Sequence, residues 1–114
     1  MTPGKVAQAV GEVVPLLVGA RYFDLEKLTG GVRLSAGELK GAVESYGKKL
    51  RLPPPEAVEP RSVVEIKSAS PMRWSVYVDL WTEEEGRSDL TLEMTVIDGP
   101  GASHSIEIDD LHVL

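Results

Sequence analysis

The sequence predicts an α+β domain in which about three N-terminal helices pack on one face of a four-stranded antiparallel meander sheet. Two changes along the chain carry this reading. Apolar residues recur at helical spacing as far as residue 47, and from residue 62 the period falls to two. Between them stands a proline-rich break, residues 48–61, with three consecutive prolines at Pro53 to Pro55. At 114 residues the chain is a single domain (helical part 3–47, connector 48–61, sheet 62–114) and can bury one core without metals or disulfides.

Val6, Ala9, Val10, Val13, Val14 and Leu17 form the stripe of a first amphipathic helix starting near Thr2 and Pro3. Pro15 lacks an N–H, so a kink is expected in the turn before it. "ARYFDLEKLTGG" reads as a short second helix, Leu25 and Leu28 inward, ended by Gly30 and Gly31. The third has the clearest signal: Ser35 and Glu38 make a capping box, Leu39, Ala42, Val43 and Tyr46 follow at i, i+3, i+4 and i+7, and Gly47 stops it. That gives a helix over 36–46. The prolines then impose extended backbone, a semi-rigid link to the sheet rather than a recognition motif.

"SVVEIKSA" is a first strand. "RWSVYVDLWT" sets Trp74, Val76, Val78 and Leu80 against Ser75, Tyr77, Asp79 and Trp81, and "LTLEMTVI" sets Leu90, Leu92, Met94 and Val96 against Thr91, Glu93, Thr95 and Ile97. Like-charge repulsion selects the register of this hairpin. Leu80 opposite Leu92 would place Asp79 against Glu93, so the other choice is expected: Tyr77 opposite Glu93, Asp79 opposite Thr91 and Trp81 near Asp89, with Gly86 in the turn. In "HSIEIDDLHVL" the apolar phase breaks after Ile108. One extra residue at Asp109 or Asp110 would form a β-bulge that keeps Ile106, Ile108, Leu111 and Val113 inward and turns Glu107, Asp110 and His112 outward.

The net charge of −6 argues against nucleic acid as the partner. Residues 1–78 hold 11 bases and 8 acids, whereas 79–114 hold 1 base and 10 acids, so the C-terminal third is an acidic pole. No apolar run is long enough to span a bilayer, and the interrupted N-terminus spoils a signal-peptide reading, so a cytoplasmic protein is expected. The absence of cysteine removes disulfide, thiol and Cys-metal chemistry. No metal and no cofactor is expected, since no second histidine stands at ligand spacing from His112 and "GPGASH" lacks the lysine of a phosphate loop.

The candidate contact surface is the acidic hairpin: Tyr77, Asp79, Trp81, Glu83, Glu84, Glu85 and Arg87. Outward aromatics beside charges are the composition of binding surfaces, although Arg87 also suits a structural pairing with Glu84 or Asp89. The pattern Leu-Trp-Thr, then Glu-Gly-Arg-Ser-Asp-Leu-Thr, with Ile-Asp-Asp-Leu-His-Val-Leu at the C-terminus, resembles a family of small bacterial domains of unknown function over roughly residues 6–114. More loosely, helices followed by a meander is similar to cystatin-like and nuclear-transport-factor-like folds, which implies a curved sheet able to hold a small ligand. Two functions are therefore set against each other. The preferred one is a non-catalytic acidic interaction domain, monomer or homodimer, covering a basic protein partner in the manner of an immunity protein. The alternative is a cone-shaped small-molecule binder or hydrolase with Asp79, Glu93 and His112 around a pocket. A deep pocket favours the second, a flat acidic face the first.

Overall fold

The computed structural model describes residues 2–113. Three helices, α1 (Gly4–Val18), α2 (Tyr22–Thr29) and α3 (Ala36–Tyr46), precede five antiparallel strands: β1 (Leu50–Arg51), β2 (Ser62–Ile66), β3 (Arg73–Thr82), β4 (Gly86–Asp98) and β5 (His104–Val113). The class is the expected α+β with one strand more. The extra strand is β1, inside the proline-rich connector. Leu50 sinks into the core at 6% exposure and holds its neighbour Arg51 extended against Trp81, just before the prolines end the pairing.

The whole predicted stripe of α1 is buried, and α1 lies across the inner sheet face against β3, β4 and β5. Pro15 sits inside α1, which continues through it to Val18. Leu25 of α2 is fully buried, but Leu28 is exposed and Thr29 is buried in its place, its hydroxyl donating to the Leu25 carbonyl at 3.0 Å. An eight-residue helix has one row to bury, and here the i, i+4 row wins over i, i+3. α3 spans the predicted residues, with both bonds of the capping box made: Glu38 N–H donates to Ser35 Oγ at 3.2 Å and Ser35 N–H to Glu38 Oε1 at 3.0 Å.

β4 is the middle of the sheet, between β3 and β5, and its Leu92, Met94 and Val96 are fully buried. The β3–β4 hairpin has the expected register, Tyr77 opposite Glu93 and Asp79 opposite Thr91. Past Asp79 it departs: a bulge sets Trp81 opposite Arg87 rather than Asp89. Ser88 is the cause, since its buried Oγ donates to the Leu80 carbonyl at 2.7 Å and accepts from Leu90 N–H at 3.2 Å, taking the place of ladder bonds. In β5, Glu93 faces Asp110 and Met94 faces Ile108, so Asp109 is the extra residue the sequence called for. Ile106, Ile108 and Leu111 are buried; Val113 is not, at 56% exposed, because it lies at the end of an edge strand.

Two ties fix α1 to the far end of the sheet. Lys5 pairs with Asp98 and donates to the Gly99 carbonyl, and His104 Nε2 lies 2.8 Å from Glu12 Oε1.

Candidate functional site

The unusual feature is the edge of β3. β2 pairs along it from Arg73 to Tyr77 and β1 pairs at Trp81 and Thr82, so Val78, Asp79 and Leu80 have no strand beside them there. The intervening chain cannot fill the gap as a strand. Among residues 52–61 it has prolines at 53, 54, 55 and 60, none with an N–H to give. It arches outward instead, through a 3-10 turn at Pro55–Ala57.

Beneath that arch lies a cleft of about 440 Å³, walled by Val10, Val14 and Pro15 of α1, Leu52 and Val58 of the connector, and Val78 and Leu80 of β3. A polar cavity of about 330 Å³ adjoins it, lined by Glu59, Arg61, Asp79, Trp81 and Arg87. Ala57, Glu59, Pro60, Asp79 and Trp81 belong to both. An apolar cleft with a few polar groups at its mouth has the size and composition of a small-ligand site.

The mouth is built by β3 and the connector. Asp79 points to the outer face, where Arg61 Nη2 lies 2.7 Å from its Oδ1. The contact is off the line of a hydrogen bond, so charge alone holds that buried oxygen. Trp81 is half-buried, and the Arg87 guanidinium rests over its ring, 5.7 Å from the centroid. Among the described residues Arg87 makes no ion pair with Glu84 or Asp89, against expectation: the bulge sets it opposite Trp81, over whose ring it rests, and Glu84 accepts from Lys49 N–H instead.

The acidic tip is used within the chain. Glu83 lies 3.6 Å from Lys49 Nζ, Glu84 accepts from Lys49 N–H at 3.1 Å, and Glu85 accepts from the Tyr46 hydroxyl at 2.8 Å and from Thr82 Oγ1 at 3.1 Å. These contacts dock the hairpin on the end of α3.

A second cluster occupies the outer sheet face. His112 Nε2 lies 3.1 Å from Glu93 and 3.8 Å from Asp110, and the three residues offer ligand atoms all within 4.8 Å of one another, a geometry that could hold a metal ion. The Glu93 carboxylate holds the pKa of His112 above its ordinary 6.5, with partial desolvation opposing it, and Glu93 also raises that of Tyr77 across the strand. Burial raises Asp109, against its bond from Thr95 (2.6 Å) and the nearby Arg33 (2.7 Å). Asp79 does not join Glu93 and His112. It stands on β3 opposite Thr91, which faces His112 on β5, so two strand spacings, about 10 Å, separate it from His112, while Glu93 lies opposite Tyr77, two positions along β4.

Of the predicted residues, then, the structure gathers Asp79, Trp81 and Arg87 at one mouth, sets Tyr77 beside Glu93, and bonds the exposed Glu83, Glu84 and Glu85 to neighbouring parts of the chain. Sequence reasoning missed Glu59 and Arg61, placed in a connector, and Val10 and Val14, which read as core. The available signal was the run of prolines, since a segment unable to donate leaves an open edge wherever it passes a strand.

Helices over a sheet whose edge is interrupted by a ligand-sized cleft define a small α+β domain with a pocket between its layers. The chain belongs to the family described as Domain of unknown function (DUF7668), whose model matches residues 14–114. No curated protein and no solved structure matches it. No helix among the described residues is long and apolar enough to cross a membrane.

Proposed function

We propose that this domain is a non-catalytic binder of a small amphipathic molecule, with the apolar part under the proline arch and the polar part at Asp79, Trp81 and Arg87. The observation that carries the reading is the cleft of about 440 Å³ adjoining a polar cavity at the same two residues of β3. Binding there removes apolar surface from water, at roughly 25 cal/mol per Å². The looser resemblance to cone-shaped α+β folds points the same way, as analogy only.

The test uses anilinonaphthalene sulfonate, an apolar fluorophore with an anionic group. Ala7 lines the cleft and is exposed, so Ala7→Trp fills it without disturbing buried packing. Saturable fluorescence with the wild type, lost in Ala7→Trp at an unchanged unfolding midpoint, is the expected result. Equal fluorescence from both proteins, or none from either, refutes the reading.

One observation favours a second reading, an interaction domain for a basic partner: Glu93, Glu107 and Asp110 share the outer sheet face. A protein captured from extract at low salt, released at physiological salt and lost with Asp110→Lys would establish it; capture unaffected by Asp110→Lys would dismiss it.

A further inference from the structure

We propose that the ligand is an anionic amphipath bearing a secondary amide, of the N-acyl amino acid class: its acyl chain lies in the apolar cleft, its amide on the open edge of β3 at Asp79, and its carboxylate at Arg87. This rests on the ligand-binding reading above and gives the occupant its chemistry.

The amide follows from the backbone. Tyr77 C=O accepts from Arg61 N–H at 2.8 Å and Glu83 N–H donates to Lys49 C=O at 2.9 Å, both toward the connector edge, whereas Leu80 C=O takes the Ser88 hydroxyl on the β4 side. Direction alternates along a strand, so the N–H and C=O of Asp79 also face the connector edge, at the cleft. Among the described residues no flanking strand pairs with Asp79 on that side, and no loop backbone group bonds to either atom. One donor and one acceptor side by side on an edge are the complement of a secondary amide. The space limits the occupant further. Only three residues of β3 lie between the two flanking strands, about 10 Å of edge, which admits one amide unit and not an added strand.

The anion follows from the charges at the mouth. Arg87 is the one basic residue of 79–114, with Glu84, Glu85 and Asp89 within three positions of it in the chain. Yet it makes no ion pair among the described residues and is held over Trp81 at the polar cavity. Of the two acids lining that cavity, Asp79 is paired with Arg61, and Glu59 accepts from the Thr2 hydroxyl and keeps its charge. An incoming carboxylate therefore meets, at Arg87, a guanidinium with no ion-pair partner, in a cavity whose two acids are matched by two bases; a charge-assisted bond can form there.

N-octanoylglycine is the probe, titrated calorimetrically into the full chain. It is compared with octanoyloxyacetate, in which an ester replaces the amide, and with its own methyl ester, which has no charge. N-octanoylglycine should bind most tightly, each analogue losing about tenfold, and Arg87→Gln should abolish the advantage of the free acid over its methyl ester. Equal binding by all three overturns the assignment but leaves a generic apolar cleft standing. Failure of all three, together with failure of the fluorophore, overturns the ligand-binding reading itself. The two ligand comparisons need only the wild type, so they decide the matter even if Arg87→Gln does not fold.

Discussion

At the residue scale, the clearest consequence concerns His112. Its imidazole lies against Glu93 and near Asp110, which hold its pKa above 6.5 in the fold. A cation whose pKa is raised by folding contributes fully below the unfolded value and loses its contribution as pH rises through the folded one. The stability advantage of wild type over His112→Gln should therefore be present below about pH 6.5 and fade above it, by less than about 1 kcal/mol because both partners are in part open to solvent, which screens the pair. Urea midpoints of the two proteins between pH 5 and 9 measure it, and an advantage constant across that range would contradict the assignment. The pairing itself was legible in advance only as a set of outward residues. Alternation places His112 and Asp110 on the outer face, but their approach to Glu93 depends on the rotation of β5 at Asp109, which no periodicity specifies.

At the scale of elements, signals written within a few residues were readable. The capping box of α3 is one: Ser35 and Glu38 specify their own bonds, and the helix begins where they say. Ser35→Ala should lower stability by about 1 kcal/mol, read as a shift in the thermal unfolding midpoint, whereas Ser35→Asp, which keeps an acceptor, should cost much less. The β5 bulge was readable for the same reason, since Ile108 and Leu111 announce a change of parity. The β3 bulge was not. It rests on one serine hydroxyl standing in for ladder bonds, and Ser88 has nothing in its neighbours to mark it out. β1 was missed because two residues have no period to detect; burial of Leu50 by the rest of the molecule decides it.

For the whole molecule, the uneven charge was visible in the sequence and its use was not. Bases from the first 78 residues meet acids of the last 36: Lys5 with Asp98, Arg33 with Glu107 and Asp109, Lys49 with Glu83, and Arg61 with Asp79. The acidic pole is thus partly spent on the protein's own helices and connector. Each exposed pair is worth at most about 1 kcal/mol, so their effect is less on total stability than on which face meets which. The cleft belongs to this scale too. It is made by α1, the connector and β3 together, and no local pattern reveals a space between three elements.

The order of the layers also has a consequence in time. The apolar stripe of α1, from Val6 to Leu17, is buried by strands lying between residues 50 and 113, most of them near the other end of the chain. At about 5 to 20 residues per second of synthesis, that stripe waits roughly 5 to 20 s for its cover. During those seconds the nascent chain carries an amphipathic helix whose cover has yet to be made, so the apolar surface of this protein is most open to other molecules before its own sheet is complete.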